Sequence, residues 1–196
     1  NLIKKEKKIG IDKKIFLKNL LKLISSNTRV ISSTGYNSRE IMDIRKNYNL
    51  KKGKDFYMVG GMGHTSSVAL GYSLFSTKKT LCIEGDGSLL MHMGSLKTLS
   101  DFANSNLKYI LLNNNSHESV GGQKTNADKI NFAKFSNSLG FKKYYKINEK
   151  KNIKDQIKKI LSSKYSVFAE VKTCNYNKND LPRPKNLITV KNLFMK

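Results

Sequence analysis

The fold class predicted for these 196 residues is a doubly wound, mainly parallel α/β sheet with helices on both faces, and three observations carry that prediction. Helical and strand patterns alternate along nearly the whole chain, the order expected of βαβ units. The runs TLCI (80–83) and YILL (109–112) are continuously apolar rather than alternating, as central parallel strands covered on both faces should be. Several strands end in short polar segments rich in glycine or amides, where such sheets open toward a ligand.

The elements follow in order. KKIFLKNLLKLIS (13–25) spaces Ile15, Leu17, Leu20, Leu21, Leu23 and Ile24 at helical intervals with lysines opposite, which predicts an amphipathic helix against a core. TRVISST (28–34) is a strand, SREIMDIRKNY (38–48) a helix begun by Ser38 with Glu40 in its first turn, and DFYMVG (55–60) a strand. A helix over 64–76, a strand over 79–85, one helix over 88–103 and a strand over 107–114 come next. The last elements are a helix over 128–140, a strand over 142–147, a helix over 152–163 and a strand over 165–173. Residues 181–196 are expected to be a tail or a packing arm, and the whole of 1–196 one domain without a Pro/Ser-rich linker.

Composition narrows the function classes. The 37 basic and 14 acidic residues leave a net charge of +23, which raises nucleic acid as a partner. Only Arg29, Arg39, Arg45 and Arg183 are arginines, and basic residues do not interleave with aromatics. Readers of phosphate and bases favour the arginine fork, so the lysine excess is taken as chain-wide bias, with no specific nucleic acid expected. No apolar run reaches the roughly 18 residues of a membrane span, and the opening NLIKKEKKIGIDKK lacks a signal-peptide core, so a cytoplasmic location and no membrane are expected. Without an initiator Met, a fragment or a processed piece is expected. Cys82 and Cys174 have neither zinc nor disulfide-framework spacing and are expected to be reduced thiols.

The strand ends are STGYN (33–37), GGMGHTS (60–66), GDGS (85–88) and NNNSHES (113–119). GDGS leads into a helix, so the amides of Gly87 and Ser88 can point outward toward a phosphate. A carboxylate there would repel that phosphate unless a cation intervened, so Asp86 argues for a divalent metal such as Mg²⁺, with amide oxygens of NNNS as further ligands. Taken alone GDG is a turn and NNN a loop. Together they follow two apolar strands with one helix between, and Asp86 and Asn114 stand 28 positions apart, a β-to-β repeat that sets them side by side.

GDG followed by a helix, a strand and NN resembles the diphosphate-binding motif of thiamine-diphosphate enzymes. The words GGMGHTSSVALG, GDGSLLMHMGSL and NNNSHESVGGQ are similar to the diphosphate domain of the phosphonopyruvate decarboxylase family, with the sulfopyruvate decarboxylase β subunit as its neighbour. The resemblance runs from about residue 28 to 175 and includes STGYNSREI. It implies thiamine diphosphate and Mg²⁺ as cofactors, with Asp86, the Asn114 side chain and the Ser116 carbonyl as metal ligands. Gly85, Gly87 and Ser88 would hold the diphosphate, with Tyr36 and Asn37 near it. The Gly60 carbonyl would accept the cofactor's amino group, Met62 would prop the bent cofactor, and His117, Glu118 and Ser119 would face a small anionic 2-oxo acid.

By the same resemblance the reaction is decarboxylation of phosphonopyruvate to phosphonoacetaldehyde, with sulfopyruvate as the alternative substrate. A pyrimidine-binding domain or α subunit would complete the site in a homo- or hetero-oligomer. Asn115 and Ser116 replace a Gly-Ala pair and Lys124 a proline of the family pattern. Other readings stay open: Met62 as core, His92 as a packed or capping residue, and His64 as a helix cap. GMGHTS with Glu84 also approaches a dinucleotide fingerprint, and the charge allows a basic nucleic-acid module.

Overall fold

The structure is a computed structural model that describes residues 10–174 and 180–196; residues 1–9, most of the segment searched for a signal sequence, lie outside the described residues. The strands are β1 (Thr28–Ser32), β2 (Lys54–Tyr57), β3 (Lys79–Gly85), β4 (Leu107–Asn113), β5 (Lys143–Ile147) and β6 (Val167–Lys172). Among the described residues they form one six-stranded sheet in the order β2-β1-β3-β4-β6-β5, with every pair parallel. The helices are α1 (Lys13–Leu23), α2 (Tyr36–Asn47), α3 (Thr65–Leu74), α4 (Asp86–Met91), α5 (Ser95–Phe102), α6 (Phe132–Leu139), α7 (Ile153–Ser162) and α8 (Leu187–Met195). The predicted α/β class is the one observed.

Strand parity sorts the core into two layers, because successive side chains of a strand point to opposite faces. Val30, Leu81, Ile83, Ile110, Leu112 and Val171 pack with α1, α2 and α7 through Phe16, Leu20, Ile41 and Ile157. Ile31, Cys82, Tyr109, Leu111 and Phe168 face the other way, toward Leu70 of α3, Leu96 and Leu99 of α5, Phe132 of α6 and Phe194 of α8. Segment 181–196 carries α8, which lies beside β2: the Phe194 ring stands 4.8 Å from Tyr72 and 5.5 Å from Phe56, and its carbonyl accepts from Arg29 Nε at 2.8 Å.

Several boundaries differ from the sequence expectation. The helix expected over 88–103 is two helices: it starts earlier, at Asp86, and breaks at His92, whose φ of −142° and ψ of 50° leave helical space. The His92 carbonyl takes both the amide and the hydroxyl of Ser95, and Gly94 opens the second helix. Helix α2 begins at Tyr36 after Gly35, whose φ of 88° is left-handed, so Ser38 is inside the helix rather than its cap. Its buried hydroxyl instead bonds the Ser32 and Ser33 carbonyls at 3.0 and 2.7 Å. The helix expected from 128 starts at Phe132, after a 3-10 turn over Ala127–Lys129.

Candidate functional site

The chain leaves β1 outward to β2 and returns to β3 on the other side, so the strand order reverses between β1 and β3. In open α/β sheets that crevice, outside the carboxyl ends of the strands, is where ligands bind. A cavity opens there, floored by Ser33 and Thr34 after β1, by Gly85, Asp86 and Gly87 after β3, and by Asn114 after β4. Of the residues singled out from sequence, Tyr36, Asn37, Met62, Ser88, Ser116, His117, Glu118 and Ser119 also line it. Gly60 is exposed outside that lining, in left-handed conformation at φ 71°.

Asp86 is the first residue of α4 and is only 1% exposed. Burial pushes its pKa up; the Thr125 hydroxyl, its own amide, the Asn114 amide and nearby His117 oppose that by favouring the ionised form. The sheet register aligns Gly85 with Leu112, so Asp86 and Asn114 are one step off level yet share the cavity. Asn114 accepts the Ser116 amide on Oδ1 at 3.1 Å and donates from Nδ2 to Glu118 Oε2 at 3.2 Å. This donor set fits a hard divalent cation: one carboxylate, one amide oxygen and one backbone carbonyl are all oxygens, and phosphate oxygens complete such a sphere. The residues therefore fit Mg²⁺ with a diphosphate.

Gly87 leaves no room for a side chain. A Cβ there would lie 2.5 Å from His117 Nδ1 and 2.6 Å from Cε1, so the imidazole lies directly against the turn. The sequence expectation for Ser88 concerns its backbone amide; its side chain is engaged within the fold. Its Oγ donates to Glu84 Oε1 at 2.7 Å and accepts the Gly63 amide at 3.0 Å, which ties the Met62 loop to β3. Glu84 also accepts Tyr109 OH at 2.9 Å and is 1% exposed; burial raises its pKa, with Ser88 and Tyr109 opposing the rise. Glu84 does not line the cavity and its oxygens are taken by Ser88 and Tyr109, which speaks against it as the ribose ligand of a dinucleotide.

The loop after β4 accommodates its departures from the family pattern. Asn115 has φ 57°, a left-handed position that glycine takes freely and asparagine better than most residues. Ser116 pairs with Lys124 across a bridge closed by His117 N to Gln123 O at 2.8 Å and Thr125 N to Asn115 O at 3.3 Å, bonds that do not use the Lys124 amide. His64 and His92 are both exposed and lie outside the cavity, their ring centroids 4.2 Å apart and tilted by 35°; a Cβ on Gly63 would meet the His92 ring at 2.4 Å, so one side of that ring rests on the Gly63 turn. Sequence reasoning missed Thr125, which bonds Asp86, and Lys13, whose Nζ lies 2.9 Å from Glu118 Oε2 inside the cavity. No local pattern marks either, since both arrive from distant positions.

The family described as thiamine pyrophosphate enzyme, C-terminal TPP binding domain, matches residues 34–171. The chain is 29% identical over 169 residues to phosphonopyruvate decarboxylase of Streptomyces viridochromogenes, covering 86% of this chain and 41% of that protein. It is 38% identical over 112 residues to sulfopyruvate decarboxylase subunit beta of Methanothermobacter thermautotrophicus, covering 57% of this chain and 58% of that one. With the same subunit of Methanococcus maripaludis it shares 30% identity over 150 residues, 76% of this chain and 78% of the relative. The chain thus spans well under two thirds of the first two relatives' length. A solved structure of a Mycobacterium smegmatis protein assigned as thiamin diphosphate-dependent superposes with a TM-score of 0.67 at 14% identity, over 86% of this chain and 33% of that one, a likeness of fold. By family match and by relatives, this chain belongs to the C-terminal TPP-binding domains of the thiamine pyrophosphate enzymes.

Proposed function

We propose that this chain is the diphosphate-binding half of a thiamine-diphosphate- and Mg²⁺-dependent decarboxylase acting on a small 2-oxo acid that carries a tetrahedral anionic group. The observation that carries this is the convergence of Asp86, Asn114 and Ser116 on one cavity at the sheet's reversal point. Phosphonopyruvate, giving phosphonoacetaldehyde and CO₂, and sulfopyruvate are supported equally, since the relatives carry both names. Asp86, Asn114 Oδ1 and the Ser116 carbonyl hold the cation, and the amides of Gly87 and Ser88 donate to the phosphate oxygens. Met62 gives the cofactor's flank an apolar support, with the Gly60 carbonyl at the rim and Tyr36 and Asn37 on the α2 side. When bound, the cofactor supplies the electron sink that decarboxylation of a 2-oxo acid requires. His117, whose ring lies against Gly87, and Glu118 face the substrate side as the proposed catalytic residues.

A pyrimidine-binding domain, in the same polypeptide or in a partner subunit, completes the site. Several large apolar side chains are open to such a partner: Phe75 is 94% exposed, and Ile188 and Val59 lie beside Val68 on one apolar groove. Among the described residues no helix is long and apolar enough to cross a membrane; the proposed site of action is the cytoplasm. The test is calorimetric titration of the chain with thiamine diphosphate. Binding should require Mg²⁺, disappear with EDTA and disappear in Asp86→Ala, whereas NADH should not bind. Metal-independent binding, or an unaffected Asp86→Ala, would refute the reading. Turnover of the two candidate acids after mixing with a pyrimidine-binding subunit then assigns the substrate.

A further inference from the structure

The chain has 37 lysines and arginines, yet among the described residues Lys13 is the one that lines the cavity. It is not a surface lysine folded inward by chance. Its side chain is 7% exposed and its partner Glu118 9%. Three features upstream deliver it there. Ile11 bridges Thr173 in parallel beyond the end of β6, with Ile11 N bonded to the Lys172 carbonyl at 2.8 Å and Cys174 N to the Ile11 carbonyl at 3.0 Å. Gly10, at φ 120°, passes so close that a Cβ would lie 2.9 Å from the Lys172 carbonyl oxygen. Asp12 then caps α1 by accepting the amides of Lys14 and Ile15 at 2.7 and 3.2 Å. The start of the helix is therefore pinned to the sheet, with Lys13 directed over the strand tips and its Nζ 5.7 Å from the centre of the Tyr36 ring.

Glu118 Oε2 receives hydrogen bonds from Lys13 Nζ at 2.9 Å and from Asn114 Nδ2 at 3.2 Å. An ammonium and an amide NH₂ converging on one anionic oxygen is also a binding geometry for a phosphate, phosphonate or sulfonate oxygen. The pair lines the same cavity as Asp86 and Asn114, so an oxyanion bound there meets both of its charges. A buried charge needs a partner, so an oxyanion that takes the place of Glu118 keeps Lys13 paired while the Glu118 carboxylate has to turn out toward water.

We propose that Lys13 is a binding residue for a tetrahedral oxyanion in this cavity, and that Glu118 is the carboxylate which that anion displaces. The proposal rests on the reading of the cavity as a diphosphate and anionic-substrate site. It gives the two members of one ion pair opposite effects: Lys13 attracts the ligand and Glu118 competes with it.

The experiment follows ligand-induced thermal stabilisation of the 196-residue chain in two arms. One arm is Mg²⁺-pyrophosphate; the other is phosphonoacetate added over saturating Mg²⁺-thiamine diphosphate. Lys13→Met, which keeps the apolar stem, should weaken apparent affinity about tenfold or more in one arm, and Glu118→Gln should strengthen affinity in that same arm. An effect on pyrophosphate assigns Lys13 to the cofactor's tail; an effect confined to phosphonoacetate assigns it to the substrate. Should Lys13→Met fail to fold, Lys13→Gln takes its place, and Lys13→Arg, which keeps the charge, should restore affinity in that arm. Wild-type-like affinity of Lys13→Met in both arms, or weakening by both Lys13→Met and Glu118→Gln, overturns the proposal while leaving Asp86-dependent binding, and so the functional reading, intact. A wild-type chain that binds neither probe overturns both.

Discussion

Ser88→Ala separates a structural hydroxyl from a ligand-binding one. The substitution removes the atom that donates to Glu84 at 2.7 Å and accepts the Gly63 amide at 3.0 Å, all within buried surroundings. A neutral hydrogen bond contributes about 0.5–1.5 kcal/mol and one to a charged group about 1.5–3 kcal/mol, so the loss should be roughly 2–4 kcal/mol. At about 2 cal/mol/K per residue, 196 residues have an unfolding entropy of about 0.4 kcal/mol/K, which converts the loss to a fall in Tm of roughly 5–10 °C. Differential scanning calorimetry reads the fall, and titration with Mg²⁺-thiamine diphosphate reads binding. Because the hydroxyl is engaged by Glu84 and Gly63, and the proposed function gives the ligand only the Ser88 amide, affinity should change by no more than a few fold. A Tm within about 1 °C of wild type together with a tenfold loss of affinity would refute the reasoning, since the hydroxyl would then belong to the ligand.

Other outcomes follow from the same geometry. Gly87→Ala should abolish Mg²⁺-dependent binding of thiamine diphosphate, because the new methyl forces the His117 ring from 2.5 Å contact into the cavity, at about 1–3 kcal/mol of stability by denaturant melts. Asn115→Ala should cost about 1–2 kcal/mol for a left-handed alanine, whereas Asn115→Gly should stay within about 1 kcal/mol of wild type. Glu170 supplies a pH signature. Burial raises its pKa, but Tyr144 OH at 2.6 Å, Lys172 at 3.1 Å and Asn113 at 2.8 Å outweigh burial and hold it below the usual 4.5. A carboxylate held down in the folded state stabilises above its unfolded pKa and loses that contribution as pH falls through the folded value. The stability gap between wild type and Glu170→Gln should therefore be full at pH 7 and close below about pH 4.5, in urea melts at a series of pH values.

The β-α alternation, the buried central strands and the polar strand tips were legible in the residues themselves, because strand and helix periods are properties of consecutive side chains. Asp86 and Asn114 could be paired from their spacing for the same reason: a helical stretch, broken in the structure into α4 and α5, and one strand of ordinary length separate them. The site's remaining parts were hidden because they depend on contacts between distant segments. The Ser88 hydroxyl accepts an amide from Gly63, 25 positions away, and Asp86 a hydroxyl from Thr125, 39 positions away; the break at His92 is local, set by its carbonyl's capture of Ser95.

By itself, then, the sequence determined a parallel α/β chain that presents a carboxylate and an amide at neighbouring strand tips, since local periodicity and turn chemistry suffice for that. Only the tertiary structure decided that β3 lies between β1 and β4, that Thr125 reaches Asp86, and that a bridge from Ile11 to Thr173 carries Lys13 onto Glu118. The physical reason is that strand order and long-range hydrogen bonds are settled by which buried surfaces and polar groups satisfy one another across the whole fold, and no window of consecutive residues contains both partners.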